Sequence, residues 1–322
     1  MRSLRSLVPE PVRAWLRGER PLGGRGATEA RAVGPDGEPT IGALISERKR
    51  WLFETLPPAS AALHYDLFTK EDQRRMADRL GLSTAEVHLA GAPLREALAF
   101  VERRCLERFV IKPNLSSSAV GFKALVREGD RYRDVNAGSA HRREALERDL
   151  VRTMEHRRFE DAWVVEELLL PPDGSLAPVD DYKFYCFGGR PEFVAHTWRA
   201  RRRPRKRWRC FTRDWEPVEV LVDRPKVPAA PLSDRRQELL ATAEAAASAL
   251  CYPFIRIDLY DTSRGVVLGE FTPGPGRRYA FLPDWDVRLS RRWREAAAAL
   301  EEGIGSGRIR PLMPLDSHSE PA

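Results

Sequence analysis

Hydrophobic positions along the chain follow a helical period first and a strand period later. Over residues 41–55 apolar side chains recur every three or four positions, the spacing of one helix face. Thr69 with Asp72 has the form of a capping box, opening a helix through Leu80 that Gly81 stops. Pro93 starts another helix running to about Cys105. Beyond it the period shortens. Residues 109–112 (FVIK) form a short apolar strand closed by Pro113, followed by the loop NLSSSAVG and a strand over 122–127. A charged amphipathic helix spans 139–158. Strands follow at 163–170, 181–187 and 191–198, and the Gly188-Gly189 pair between the last two predicts a hairpin. An alanine-rich helix over 233–250 precedes a second hairpin, 254–260 with 266–271, and 286–302 reads as helical. Helices first and mixed strands afterwards make an α+β chain. The expected divisions are a basic arm and linker (1–40), a mostly helical region (41–105), two mixed subdomains (106–165 and 166–302) and a disordered tail (303–322).

Composition narrows this picture mainly by exclusion. The 322 residues are 42% hydrophobic and 31% charged, the balance of a globular chain. No apolar run is long enough to span a membrane, and the first twenty residues scatter arginines among single apolar positions, unlike a secretory signal. The four cysteines lie far apart with no CxxC, arguing against a disulfide framework or a zinc site. The expected compartment is therefore the cytoplasm. The net charge of +7 is local: residues 199–209, RARRRPRKRWR, carry eight cations and no acid. One interleaved aromatic, Trp208, is too few for a general nucleic-acid face. The stretch reads either as a solvated hairpin tip or as an anion clamp. Only seven of the 54 basic residues are lysine, and lysine and arginine are not interchangeable at a phosphate.

The chemistry concentrates in a few strands. In FIRIDLY, Ile255, Ile257 and Leu259 share one face, so Arg256, Asp258 and Tyr260 share the other. A turn about Ser263 or Arg264 pairs Glu270 with Arg256 or Asp258 and puts both carboxylates on one face. Hard oxygens of this kind, completed by phosphate oxygens, suit Mg2+; a salt-bridge ladder on an exposed face is the alternative. The glycines and prolines of GEFTPGPG make an open loop just after Glu270. In VIKPNLSSSAVG, Lys112 ends a buried strand before three consecutive hydroxyls, although no GxxxxGK[ST] occurs in the chain. Lys183 shares a strand face with Asp181 and Tyr185.

Taken in order, these pieces resemble the ATP-grasp enzymes. DYKFYCFGGRPEFV, RCFTRDWEPV, PFIRIDLYD and GEFTPGPG look most like the TupA-like branch, which is associated with teichuronopeptide synthesis. The resemblance implies two α+β subdomains gripping ATP, the first carrying a phosphate flap and the second the metal site. It implies that Lys112 contacts the α- and β-phosphates and the adenine edge. Ser116, Ser117 and Ser118 would lie in the flap, and Glu166 and Glu167 would line the adenine and ribose slot. Lys183 would reach the phosphates, Asp181 the ribose, and Lys70 would be an early phosphate contact. Asp258 and Glu270 would hold Mg2+, with Thr272 a weaker ligand where many ATP-grasp ligases carry Asn. Arg256 would stabilise charge at the reacting acyl phosphate. The implied reaction is ATP-dependent ligation of an acid, small or polymeric, to an amine, with Arg199, Arg201, Arg202 and Arg203 binding the acid. A phosphotransferase that stops at phosphoryl transfer and a non-catalytic polyanion-binding protein are the alternatives.

Overall fold

A computed structural model of the chain describes residues 33–34, 37–65, 70–114, 120–199, 206–222, 230–274 and 281–313, with only the backbone at 65, 70, 71 and 206. Two antiparallel six-stranded sheets organise it. The first runs β1-β6-β2-β3-β4-β5, built from β1 (Val87–Ala92), β2 (Arg108–Pro113), β3 (Lys123–Glu128), β4 (Arg131–Asp134), β5 (Ala140–Arg142) and β6 (Trp163–Glu166). Helices α4 (Leu94–Arg103) and α5 (Arg143–Arg157) pack on it. Strand alternation decides which face they cover. Phe109, Ile111, Leu125, Trp163 and Val165 enter the core with Leu94, Leu98, Leu146 and Leu150, which leaves Lys112 and Glu166 on the opposite face.

The second sheet has the order β10-β9-β8-β7-β11-β12. Its strands are β7 (Asp181–Phe187), β8 (Arg190–Arg199), β9 (Lys206–Phe211), β10 (Pro217–Val218), β11 (Phe254–Thr262) and β12 (Gly265–Thr272). The β7–β8 turn is the expected two-glycine turn: Gly188 and Gly189 take φ of +54° and +87°, so both central residues are left-handed. Helix α6 (Arg236–Ala249) lays Leu239, Ala243 and Ala246 against a core containing Phe184, Ile255, Ile257 and Leu259. The N-terminal helices α1 (Ile41–Thr55), α2 (Pro58–Tyr65) and α3 (Lys70–Arg79) and the C-terminal α7 (Pro283–Gly305) contribute to the same core. Edge strand β12 is closed from outside, since the Phe271 N–H donates to Gln73 Oε1 and the Leu268 N–H to the Ser83 carbonyl.

Three expectations change. Strand β1, inside the region read as mostly helical, supplies an edge of the first sheet; its sequence VHLAGA has no clear alternation to announce it. The strand expected over 163–170 ends at Glu166, where the chain leaves the sheet. The tail expected to be disordered from 303 is ordered through 313: α7 extends to Gly305 and the Ile309 N–H folds back onto the Gly303 carbonyl. The four cysteines are free. No helix among the described residues is long and apolar enough to cross a membrane. Most of the basic arm read over 1–40, the Thr69 cap and residues 314–322 lie outside the described residues.

Candidate active site

The second sheet carries charge on the face away from α6. Register places Asp258 between Lys183 on β7 and Glu270 on β12, with Arg256 across from Tyr185 and Thr272, and Tyr260 across from Asp181. Asp258 is the hub. Arg256 grips it in fork geometry, Nε to Oδ1 at 2.5 Å and Nη2 to Oδ2 at 2.8 Å, while Lys183 Nζ donates to Oδ2. Lys183 also meets Asp181 Oδ2 at 2.7 Å. Arg256 Nη2 reaches Thr272 Oγ1 at 3.0 Å, and the Thr272 hydroxyl donates to Glu270 Oε1 at 2.8 Å. Asp258, Arg256 and Lys183 retain only 3%, 7% and 8% of their surface, so the face is a sealed ionic network and not the exposed ladder weighed as the alternative.

Glu270 reaches this face through a β-bulge. The β11–β12 turn is two residues, Ser263 and Arg264, with Thr262 paired to Gly265 and Leu259 to Leu268. A regular ladder continued from that turn sets Glu270 across from Ile257, on the face that packs against α6. The register shifts between Asp258 and Leu259, where Gly269 is the extra residue on β12, and Asp258 then faces Glu270 directly. Position 269 has no room for a side chain: a Cβ there lies 2.6 Å from the Tyr260 ring. The sequence expectation that the two carboxylates share a face holds, but the bulge is what brings it about.

The network fixes its own protonation. Burial disfavours the Asp258 carboxylate, yet Arg256 and Lys183 outweigh it and hold its pKa down to about 2. Burial likewise opposes the Lys183 ammonium, but Asp181 and Asp258 raise its pKa above the ordinary 10.5. Burial, reinforced by Asp181, pushes the Tyr260 phenol upward. Counted formally, three carboxylates (Asp181, Asp258, Glu270) face two cations. The donor set is all hard oxygen with one negative charge in excess, which fits Mg2+ completed by phosphate oxygens. Among the described residues no three His, Cys, Asp or Glu side chains gather to hold a metal by themselves.

On the first sheet, Lys112 Nζ pairs with Glu166 Oε1 at 2.5 Å, both partly accessible at 20% and 13%. Glu167 is placed elsewhere. As the next residue it points away from Glu166, to Arg264 at 3.0 Å and to the Glu86 N–H. An open cavity of about 190 Å3 adjoins it, lined by Arg108, Leu168, Leu169, Leu170, Ser263 and Arg264 among others. No residue of the Asp258 network lines that cavity. The structure thus gathers Lys183, Asp181, Arg256, Asp258, Glu270 and Thr272 in one cluster and Lys112 with Glu166 in a second. Arg199 ends β8, and its half-buried guanidinium feels the Asp134 carboxylate of the first sheet. Lys70 opens α3, but its side chain lies outside the described residues, as do Ser116, Ser117, Ser118, Arg201, Arg202 and Arg203.

Two residues on the charged face were given no role by sequence reasoning. One is Tyr260, although alternation already put it beside Asp258. The other is Thr197, buried across from Asp181, whose hydroxyl has no hydrogen-bond partner among the described residues. A lone threonine hydroxyl in a strand carries no comparable signal.

Residues 100–291, well over half of the chain, match the family described as TupA-like ATPgrasp. No curated protein sequence matches the chain. Solved structures similar to it include a D-alanine–D-alanine ligase from Bacillus anthracis, with 14% identity, a TM-score of 0.43 and coverage of 78% of this chain and 72% of that one. D-alanyl-alanine synthetase A from Vibrio cholerae shows 14% identity and a TM-score of 0.47, covering 84% and 75%. The ATP-grasp ligase PsnB, complexed with a minimal precursor, Mg and ADP, shows 14% identity and a TM-score of 0.40, covering 80% and 67%.

Proposed function

Because the chain belongs to the TupA-like ATP-grasp family, we propose that it is an ATP- and Mg2+-dependent ligase joining an acid to an amine. A carboxylate oxygen of the acid attacks the γ-phosphorus of ATP, ADP leaves, and an acyl phosphate forms. The amine nitrogen then attacks the acyl carbon, phosphate departs, and the nitrogen loses a proton to give the amide. The observation that carries this reading is the cross-strand pair Asp258–Glu270 set against two buried cations on one sheet face.

Each residue has a definable task. Lys183 and Arg256 are held cationic and immobile by Asp181 and Asp258, so their charge is in place before phosphoryl transfer begins and no reorganisation is needed then. Asp258, Glu270 and Thr272 are the residues to hold Mg2+, which when bound neutralises and orients phosphate oxygens. Lys112 leaves Glu166 to take a phosphate oxygen, since an ammonium binds phosphate as a point charge. Glu166 stays on the cleft face for the nucleoside, whereas the Arg264 pairing holds Glu167 out of that slot. Arg199, with the arginines that follow it, attracts the acid to the rim of the site.

An ADP-release screen over acids and amines with Mg·ATP tests the reading. Asp258→Asn and Glu270→Gln should each lower turnover by roughly a hundredfold or more, the scale of losing a group that stabilises transition-state charge, while the protein stays folded. Near-normal ADP release from both variants overturns the metal assignment. A stable phosphorylated product formed without any amine overturns amide formation.

A further inference from the structure

We infer that the α6 face of the second sheet carries a binding site for inorganic phosphate, built from Arg207, Arg209, Trp215 and His196 and separate from the charged face. Strand parity divides the basic stretch between the two faces. Trp208 pairs with Thr197 on the charged face, so Arg207 and Arg209 turn the other way, across from Trp198 and His196. Both arginines are partly exposed, and neither side chain has an ion pair or a hydrogen bond among the described residues. Two cations side by side with no acid on them are set to receive an anion.

Three buried atoms on this face have no hydrogen-bond partner among the described residues: Arg209 Nε, Trp215 Nε1 and His196 Nδ1. Buried polar atoms are rarely left so, and three on one face call for a ligand. Tyr182, His196 and Arg209 form a row across β7, β8 and β9. Trp215 closes over it from the β9–β10 turn, its ring 6.1 Å from that of Tyr182 and 6.3 Å from that of Phe211. Its φ is +64°, a left-handed conformation that a bulky residue adopts only at a cost. The chemistry of the three atoms selects the ligand. Arginine Nε and tryptophan Nε1 can only donate. Asp180 Oδ2 lies 2.8 Å from His196 Nε2, and a carboxylate accepts, so Nε2 carries the hydrogen and Nδ1 offers a lone pair. The Tyr182 ring, stacked at 4.4 Å, holds the imidazole in that orientation. The matching ligand brings negative charge, acceptor oxygens for two N–H groups and one O–H for Nδ1. Hydrogen phosphate has all of these. Sulfate has no hydrogen to give, and a phosphomonoester has lost its own above a pH of about 6.

The test titrates inorganic phosphate into the full chain by calorimetry at a pH of about 8, beside sulfate and glycerol 2-phosphate. The wild type should bind phosphate saturably and about tenfold more tightly than either of the others, the scale of one hydrogen bond to a charged group. Arg209→Met should weaken phosphate by about tenfold or more. Trp215→Phe keeps an aromatic ring and the net charge, removes one donor and should weaken phosphate about fivefold. Thermal unfolding shows that each variant is folded; should Trp215→Phe not fold, the partly exposed Arg209→Met decides. Phosphate affinity unchanged in Arg209→Met overturns the inference. So does sulfate bound as tightly as phosphate, and so does a wild type without saturable phosphate binding.

Discussion

Both sheets keep one face for a helical core and the other for charge, yet they manage that charge in different ways. In the first sheet the pair Lys112 with Glu166 stays partly accessible, each side chain holding the other. In the second, Lys183, Arg256 and Asp258 are nearly sealed and bonded to one another, and hydrogen bonds through Thr272 extend the set to Glu270. A pair of the first kind can open and re-form around a ligand at small cost. A network of the second kind cannot be dismantled piecemeal, because each member compensates another that water no longer reaches. The adaptable pair suits nucleotide capture, and the rigid network suits a charge template that must already be in place when phosphoryl transfer occurs.

The largest expected effect is on the sealed side. Asp258→Ala leaves Lys183 and Arg256 without their shared carboxylate, and breaking a buried ionic set from one end costs about 3–5 kcal/mol; denaturant unfolding measures it. A loss below 1 kcal/mol would erase the distinction between the sheets. Next comes Gly269→Ala. The added methyl meets the Tyr260 ring, and overpacking of this kind costs about 1–3 kcal/mol. If the strain is relieved by losing the bulge, Glu270 turns to the α6 face and ADP release falls with it. Turnover kinetics beside an unfolding curve separate the two consequences.

On the adaptable side, Glu166→Gln should cost about 1 kcal/mol or less, since Lys112 can hydrate when its partner is lost. Its larger effect should be on KM for ATP, read from initial rates. The smallest change is expected from pH. Asp258 has a depressed folded pKa, so its contribution to stability is present above its ordinary 3.8 and is lost as pH falls through about 2. Lys183 has a raised one, so its contribution is present below 10.5 and is lost only as pH climbs past that value. Between those limits these two groups should leave stability flat, and unfolding free energies taken across that window would show any slope they contribute.

Much of this was legible before any coordinates. DYKFYCF and FIRIDLY alternate strictly, and alternation alone assigns Lys183 and Asp258 to strand faces. Gly188-Gly189 admits little other than a tight hairpin. The consecutive pair Glu166-Glu167 shows where such reasoning stops: both were expected in one slot, but the strand ends at Glu166, and Glu167 turns instead to Arg264 arriving from the other sheet.

By itself, the sequence determined the type of its strongly periodic elements, the composition of their faces and the residues able to carry charge, because these depend on local periodicity and side-chain chemistry. Tertiary structure alone decided which charges meet. A two-residue turn propagated along a regular ladder puts Glu270 into the core; the bulge at Gly269, held open by the Tyr260 ring, turns it back toward Asp258. That outcome depends on a close approach between two strands, and no period within either strand encodes it.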